Sequence, residues 1–325
     1  MRAPRIALRS LVRLILVTGW ILLALGLGLH LTLRDGFDPL AVLFYALPLP
    51  ILAGLSGGLT LCGSQWFRLR LVSGILCLLS SLTWLARSFH WKDEPLEGPG
   101  DLKVLVWNLA RPDEPSETLV ELIRKHQPDV ASIVEPGKEA GDHMAWYQER
   151  LPGYEIAWMP RGILWFSKWP SRYRSRGKLD SLGAYAWFEV KHRTGPFRFV
   201  SIDVYPLPFR PRTGQLREAL EWTAGEPHVI MGGDFNTPME SVHFEPYRDH
   251  LTNAFTAAGR GFQETWFWTL PLLSLDQIWC GPEWQPLDVK KIHTTASDHA
   301  ALIATFARAT PASVQPGDEI HKTQP

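Results

Sequence analysis

Val229–Pro238 reads VIMGGDFNTP. An apolar run passes through Gly232 and Gly233 into Asp234, Phe235 and Asn236, and Pro238 closes the stretch. A short apolar run bounded by such residues reads as a buried strand. Gly, Asp and Asn all favour tight turns, so a plain turn would by itself account for the polar residues. The other strand-like runs in the chain decide between a turn and a site.

They end the same way. Lys103–Asn108 (KVLVWN) stops on Asn108, Pro128–Glu135 (PDVASIVE) on Glu135, and Phe197–Asp203 (FRFVSID) on Asp203. Ser274–Trp279 (SLDQIW) carries Asp276, and His299–Phe306 (HAALIATF) follows Ser297 and Asp298. One acid at a strand end is an ordinary turn residue; the recurrence is not. Gathered on one edge, these ends make a pocket of acids and amides that suits a hard cation with oxygen ligands, Mg²⁺ or Mn²⁺. No Cys/His cluster points to zinc. Further strand-like runs lie at Tyr154–Met159, Gly162–Ser167 and Ala184–Val190. Ser116–Gln127, with Ser116 as N-cap, and Thr213–Ala224 have helical spacing. The pattern predicts an α/β architecture of packed sheets with covering helices.

Upstream the character changes. Leu14–Leu33 and Leu40–Cys62 are free of Asp, Glu, Lys and Arg, over lengths that match the roughly 20 residues a bilayer span requires. Pro48 and Pro50 would kink the second run without excluding it. Leu71–Ala86 is shorter and spans if Arg68 and Arg70 snorkel. Four arginines (Arg2, Arg5, Arg9, Arg13) precede the first run, which places the N-terminus in the cytoplasm and, with three spans, the polar domain outside. The spans lack acids and lysines, which favours an anchor over a transporter. The expected organisation is a membrane region over residues 1–90 and a linker over 91–101. A catalytic domain follows over 102–308, then a disordered tail over 309–325. The net charge of zero announces no nucleic-acid partner. Cys62, Cys77 and Cys280 form no disulfide framework.

The ordered series VWN, DVASIVE, GGDFN, LDQIW and SDH resembles the endonuclease/exonuclease/phosphatase superfamily across Leu102–Phe306. The resemblance implies two mixed β-sheets packed as a sandwich with flanking helices, the DNase I-like fold. It also implies metal-dependent hydrolysis of a phosphoester: nucleic acid, phospholipid or another phosphodiester. By position, Glu135 looks like the principal metal ligand with Asn108 beside it. Asp234 looks like the carboxylate that activates water, and Asn236 like a holder of a phosphate oxygen. Asp298 would orient His299, His299 would contact the scissile phosphate, and Asp276 would support a histidine elsewhere in the site.

One position departs from the pattern. Where many family members carry a catalytic His, and some a Tyr, the chain has Asp203, with Tyr205 two residues on. Asp203 could act as a general acid with a raised pKa, serve as an extra metal ligand, or mark a weakened catalyst that only binds or scaffolds. Arg210 and Arg212, with Tyr205, are candidate substrate contacts. Glu264–Leu273 (ETWFWTLPLL) reads as an aromatic loop that rims the site or meets the bilayer. The tryptophans inside strand-like runs are expected in the core.

Overall fold

The computed structural model describes residues 3–62, 67–91, 100–139 and 141–309, with side chains from residue 10 onward. Most of the expected linker and tail lies outside the described residues. The N-terminal region is helical: α1 (Ala3–Leu31), α2 (Asp38–Ala46), α3 (Leu49–Cys62) and α4 (Phe67–Ser88). Ser10–Leu31 and Phe67–Ser88 are each long and apolar enough to cross a membrane. α2 and α3 pass the same test only as a pair, and they meet at a 63° bend. The break has a local cause: Pro48 has no N–H to continue α2, and it pushes Leu47 out of the helical region, to φ −120° and ψ 55°.

The remaining elements are β1 (Phe89–His90), β2 (Leu102–Asn108), α5 (Glu117–His126), β3 (Val130–Val134), α6 (Gly141–Arg150), β4 (Glu155–Met159) and β5 (Ile163–Ser167). Then come β6 (Ser171–Gly177), β7 (Ala184–His192), β8 (Gly195–Asp203), α7 (Thr213–Glu221), β9 (Val229–Asp234), α8 (Glu245–Arg248) and β10 (Thr252–Asn253). The chain closes with α9 (Ala254–Ala258), β11 (Gly261–Phe262), β12 (Asp276–Cys280), β13 (Trp284–Ile292) and β14 (Ala301–Arg308).

Two six-stranded sheets result, ordered β10-β12-β9-β8-β7-β6 and β13-β14-β2-β3-β5-β4. Both are mixed: β8–β9 and β2–β3 pair in parallel, and the other strand pairs are antiparallel. The sheets face each other across a core that includes Val104, Trp165, Phe188, Phe199, Ile230 and Phe306. Trp165 stacks on Phe188 of the opposite sheet at 4.2 Å between centroids. Within this apolar layer, Ser132 and Ser201 share a 2.6 Å hydrogen bond from sheet to sheet. α5 and α6 cover the outer face of one sheet; α7 and the Phe244–Leu251 segment cover the other.

The glycine pair of the opening stretch follows from this packing. A Cβ on Gly232 would lie 2.8 Å from Val106 of the facing sheet. Gly233 has φ +149°, and a Cβ there would sit 1.9 Å from the Ile202 carbonyl oxygen. Only glycine lets β9 approach both neighbours this closely.

The helical region docks on the sandwich in two places. The turn after α1 sends Asp35 to the Val242 N–H at 3.0 Å and to the Tyr45 hydroxyl at 2.9 Å. Arg34 pairs with Glu245 at 2.7 Å. At the other end, α4 runs directly into β1, which pairs with β11. There the Trp84 indole N–H donates to Glu264 at 2.8 Å, and its ring stacks on Phe262.

Candidate active site

Topology gathers the polar strand ends. The carboxyl ends of β2, β3, β8 and β9 and the amino ends of β12 and β14 share one edge, as the strand directions require. Register then sets the neighbours: Asp203 pairs with Asp234 across β8–β9, and Asp276 pairs with Asp234 across β12–β9. Asn108 closes β2 in the other sheet, and its Nδ2 donates to Asp234 Oδ2 at 2.8 Å. This bond ties the two sheets at the site. Asp234 Oδ1 accepts the Asn236 N–H at 2.7 Å. Asn236 has φ +45°, a left-handed turn that asparagine tolerates, so GGDFN is a turn, and the turn sets Asp234 and Asn236 beside a cleft.

His299 is held from several sides. Its Nδ1 lies 2.8 Å from Asp276 Oδ2 and 4.0 Å from Asp234 Oδ2. Its backbone N–H donates to Ser297 Oγ, and its carbonyl accepts the Trp107 indole N–H. Burial would depress the imidazolium, but the charge and hydrogen bond of Asp276, with Asp234 and Asp298, overcome it and raise the pKa to about 10. Burial and the neighbouring Asp276 charge push Asp234 up to about 6, against the pull of His299, Asn108 and Asn236. Glu135, just past β3, has φ +51°, a strained backbone for a glutamate. Burial raises its pKa, while Arg111, 2.5 Å away, counters. Burial, with the Asp234 and Glu135 charges, raises the Asp203 pKa well above its ordinary value.

Of these groups, Asn108, Glu135, Asp234, Asn236 and His299 line a cleft of about 700 Å³. Trp266 and Leu272 of the Glu264–Leu273 loop also line it, while Trp268 is 49 % exposed. The loop therefore rims the site as expected. Trp107, Trp165 and Trp279 are fully buried, again as expected.

Several expected roles change. Asp276, not Asp298, orients His299; Asp298 instead accepts the Trp266 indole N–H at 2.9 Å. The loop turns the Asp298 side chain toward Trp266, while β12 register delivers Asp276. Arg212 reaches the cleft, but its guanidinium donates to the Tyr205 and Pro206 carbonyls, which makes it a strut rather than a free phosphate ligand. Arg210 is exposed, and neither it nor Tyr205 borders the cleft. Tyr205 donates its backbone N–H to Gln215. Asn236 Nδ2 already donates to the Val204 carbonyl at 2.7 Å, which leaves one amide proton for a ligand. Asp203 adjoins the site, but it does not line the cleft.

The donors fit a hard cation. Glu135 and Asn108 present oxygens, which also accept from Arg111 and from the Ala110 N–H, and the buried Asp203 Oδ1 and Asp276 Oδ1 have no hydrogen-bond partner among the described residues. Asp234, Asp276 and His299 also bring ligand atoms within 4.8 Å of one another. His299 Nδ1 and Asp276 are already bonded to each other, so that trio reads as an acid–base relay. Two residues that sequence reasoning passed over also shape the site: Arg111 and the α2 residue Tyr45. Arg111 had a signal, three residues after Asn108; Tyr45 had none.

A search of curated proteins finds no match to the chain. Solved structures match in fold. An endonuclease/exonuclease/phosphatase family protein from Bacteroides thetaiotaomicron is 14 % identical, with a TM-score of 0.52, over 66 % of this chain and 100 % of that one. D. rerio TDP2, complexed with a single strand DNA product, is 14 % identical, with a TM-score of 0.50, over 63 % and 98 %. The 3′ phosphatase NExo from Neisseria, bound to a product DNA hairpin, is 15 % identical, with a TM-score of 0.51, over 63 % and 99 %. The model of the Endonuclease/Exonuclease/phosphatase family matches residues 105–299, which hold every strand-end group described above. The chain belongs to the Endonuclease/Exonuclease/phosphatase family.

Proposed function

We propose that this chain is a divalent-metal-dependent phosphodiesterase, anchored in a membrane by residues 1–90 and working through the domain over 102–308, on the extracytoplasmic side. The observation that carries the reading is the placing of two bonded pairs, Asn108–Asp234 and Asp276–His299, 4.0 Å apart beside a cleft that Asn108, Asp234 and His299 line. Glu135 and Asn108 would hold Mg²⁺ or Mn²⁺, which supplies charge neutralisation at the phosphate's non-bridging oxygens. Asp234, with its pKa near 6, takes the proton of the attacking water. His299 stays cationic near neutrality and donates to a non-bridging oxygen, with Asp276 fixing the ring. Asn236 offers its remaining amide proton to the same group. Two of the fold neighbours were solved with DNA products, which supports phosphoester chemistry in this architecture.

A second reading, a phospho-ligand-binding or scaffold domain, draws on Asp203 standing where the family usually has histidine. One experiment separates them: hydrolysis of bis-p-nitrophenyl phosphate by the detergent-solubilised full chain with Mg²⁺ or Mn²⁺, then with EDTA. The expected result is metal-dependent turnover that falls by about 10²–10⁴ in Asp234→Asn and His299→Ala. Metal binding without turnover supports the scaffold; turnover that survives both substitutions overturns the site assignment.

A further inference from the structure

We infer that the phosphodiester cleaved here belongs to a membrane lipid, whose apolar part lies against α2 and α3 while its phosphate reaches Asp234 and His299; this rests on the phosphodiesterase reading above.

The cleft has two sources. Its polar side comes from the sandwich. Another side comes from the bent helix pair, through Val42, Tyr45, Ala46, Pro48 and Ile51. Those residues straddle the break at Leu47, in a segment apolar enough to count as one broken span. The catalytic groups therefore adjoin a wall with the composition of a membrane segment. Trp266, Leu272, Leu273 and Leu275 add to the apolar lining. An apolar lining with convergent polar groups at one end suits an amphiphile, and about 700 Å³ accommodates a head group and the start of a chain. Leu270 and Trp268, on the same loop, are exposed at 58 % and 49 %; aromatic and aliphatic side chains of this kind fit a bilayer interface.

The wall is fixed rather than incidental. Asp35 bonds both Tyr45 and Val242, and the Arg212 guanidinium sits 5.9 Å from the Tyr45 ring centroid. Nucleic acid fits poorly here, because polyanion binding needs several free Lys or Arg against phosphates. Among the described residues two arginines line the cleft: Arg111 pairs with Glu135, and Arg212 is committed to backbone carbonyls.

The reaction consumes one water. The water oxygen bonds to phosphorus, and its proton passes to Asp234. The P–O bond to one ester oxygen breaks, and that alkoxide takes a proton from solvent in the cleft. The products are a phosphomonoester and an alcohol.

The test uses the full chain in nanodiscs with Mg²⁺ or Mn²⁺. Three substrates are compared: phosphatidylglycerol or sphingomyelin in the disc, bis-p-nitrophenyl phosphate, and a single-stranded DNA oligonucleotide. Lipid hydrolysis, with DNA left intact, is expected. In Ala46→Trp, which fills the helical wall, the ratio of lipid to soluble-diester turnover falls at least about tenfold. A phospholipid with a diazirine in its acyl chain is expected to cross-link within residues 42–51, a readout that does not depend on the variant folding. Turnover of the soluble diester or DNA without lipid turnover overturns the lipid inference and leaves the phosphodiesterase reading standing. Loss of all turnover overturns both. Adducts confined to α1 and α4, or an unchanged ratio in Ala46→Trp, overturn the helical wall as the lipid's seat.

Discussion

Replacing Asp276 with Asn removes one charge and almost no volume, and it tests the core of the site. His299 is 8 % exposed and its Nδ1 is 2.8 Å from Asp276. Burial alone would lower its pKa, yet the acids around it raise it to about 10. Without the Asp276 charge, burial regains weight against Asp234 and Asp298, and the pKa falls toward the ordinary ~6.5. At pH 8 the imidazolium fraction then drops from about 99 % toward about 3 %. Linkage gives a second readout. A folded pKa raised above the unfolded one contributes stability that is fully present below ~6.5 and is lost as pH rises through about 10. The native chain should therefore lose stability across that window, and Asp276→Asn should lose much less. Breaking a buried pair costs ~3–5 kcal/mol, and a mispositioned histidine about 10²–10⁴ in turnover. Histidine NMR of the solubilised full chain, assigned with His299→Ala, reads the pKa; denaturation midpoints against pH read the linkage. If His299 in Asp276→Asn stays cationic above about pH 9, with turnover unchanged, Asp276 does not hold it and the relay is wrong.

Three more outcomes are expected. Asp234 titrates near 6 and must be ionised to accept a proton, so kcat/KM falls about tenfold per pH unit below that value; a profile flat to pH 4.5 would remove Asp234 as the base. Burial and its acidic neighbours raise the Asp203 pKa and so disfavour its charged form; Asp203→Asn, a near-isostere, should cost less than about fivefold, or ~1 kcal/mol. A loss of about 10² or more would mean that Asp203 ligates metal or donates a proton. Gly233→Ala places a methyl 1.9 Å from a carbonyl oxygen at φ +149° and should destabilise by more than ~3 kcal/mol, visible as poor recovery and a lowered melting midpoint; an unchanged midpoint would show that β9 can shift away from β8.

The central strands were readable because burial on both faces writes them as unbroken apolar runs: β2, β3 and β9 are nearly all inside. β6 escaped notice because it is an exposed edge, with Arg172, Arg174 and Arg176 along it. β13 escaped because Gln285, Lys290 and Lys291 interrupt its apolar pattern. In the site, Asn108, Asp234 and His299 stood out as polar residues at strand ends. Who pairs with whom did not, since the bond of Asp276 to His299 depends on the β12–β9 register and a loop path, neither of which is local. The same holds for the α2–α3 wall: a Pro-broken apolar run predicts a kink but not what the kink faces.

Trp84 on α4 holds Glu264, the first residue of the Glu264–Leu273 loop, and Trp266 on that loop holds Asp298, next to His299. No flexible turn separates α4 from β1, which pairs beneath the same loop. A helix joined in this way is a lever rather than a tether. When a span is longer or shorter than the surrounding hydrocarbon layer, it tilts to compensate. If α4 spans a bilayer, its tilt would be carried through two indole hydrogen bonds to the rim of the cleft, and the layer's thickness would set the shape of that rim.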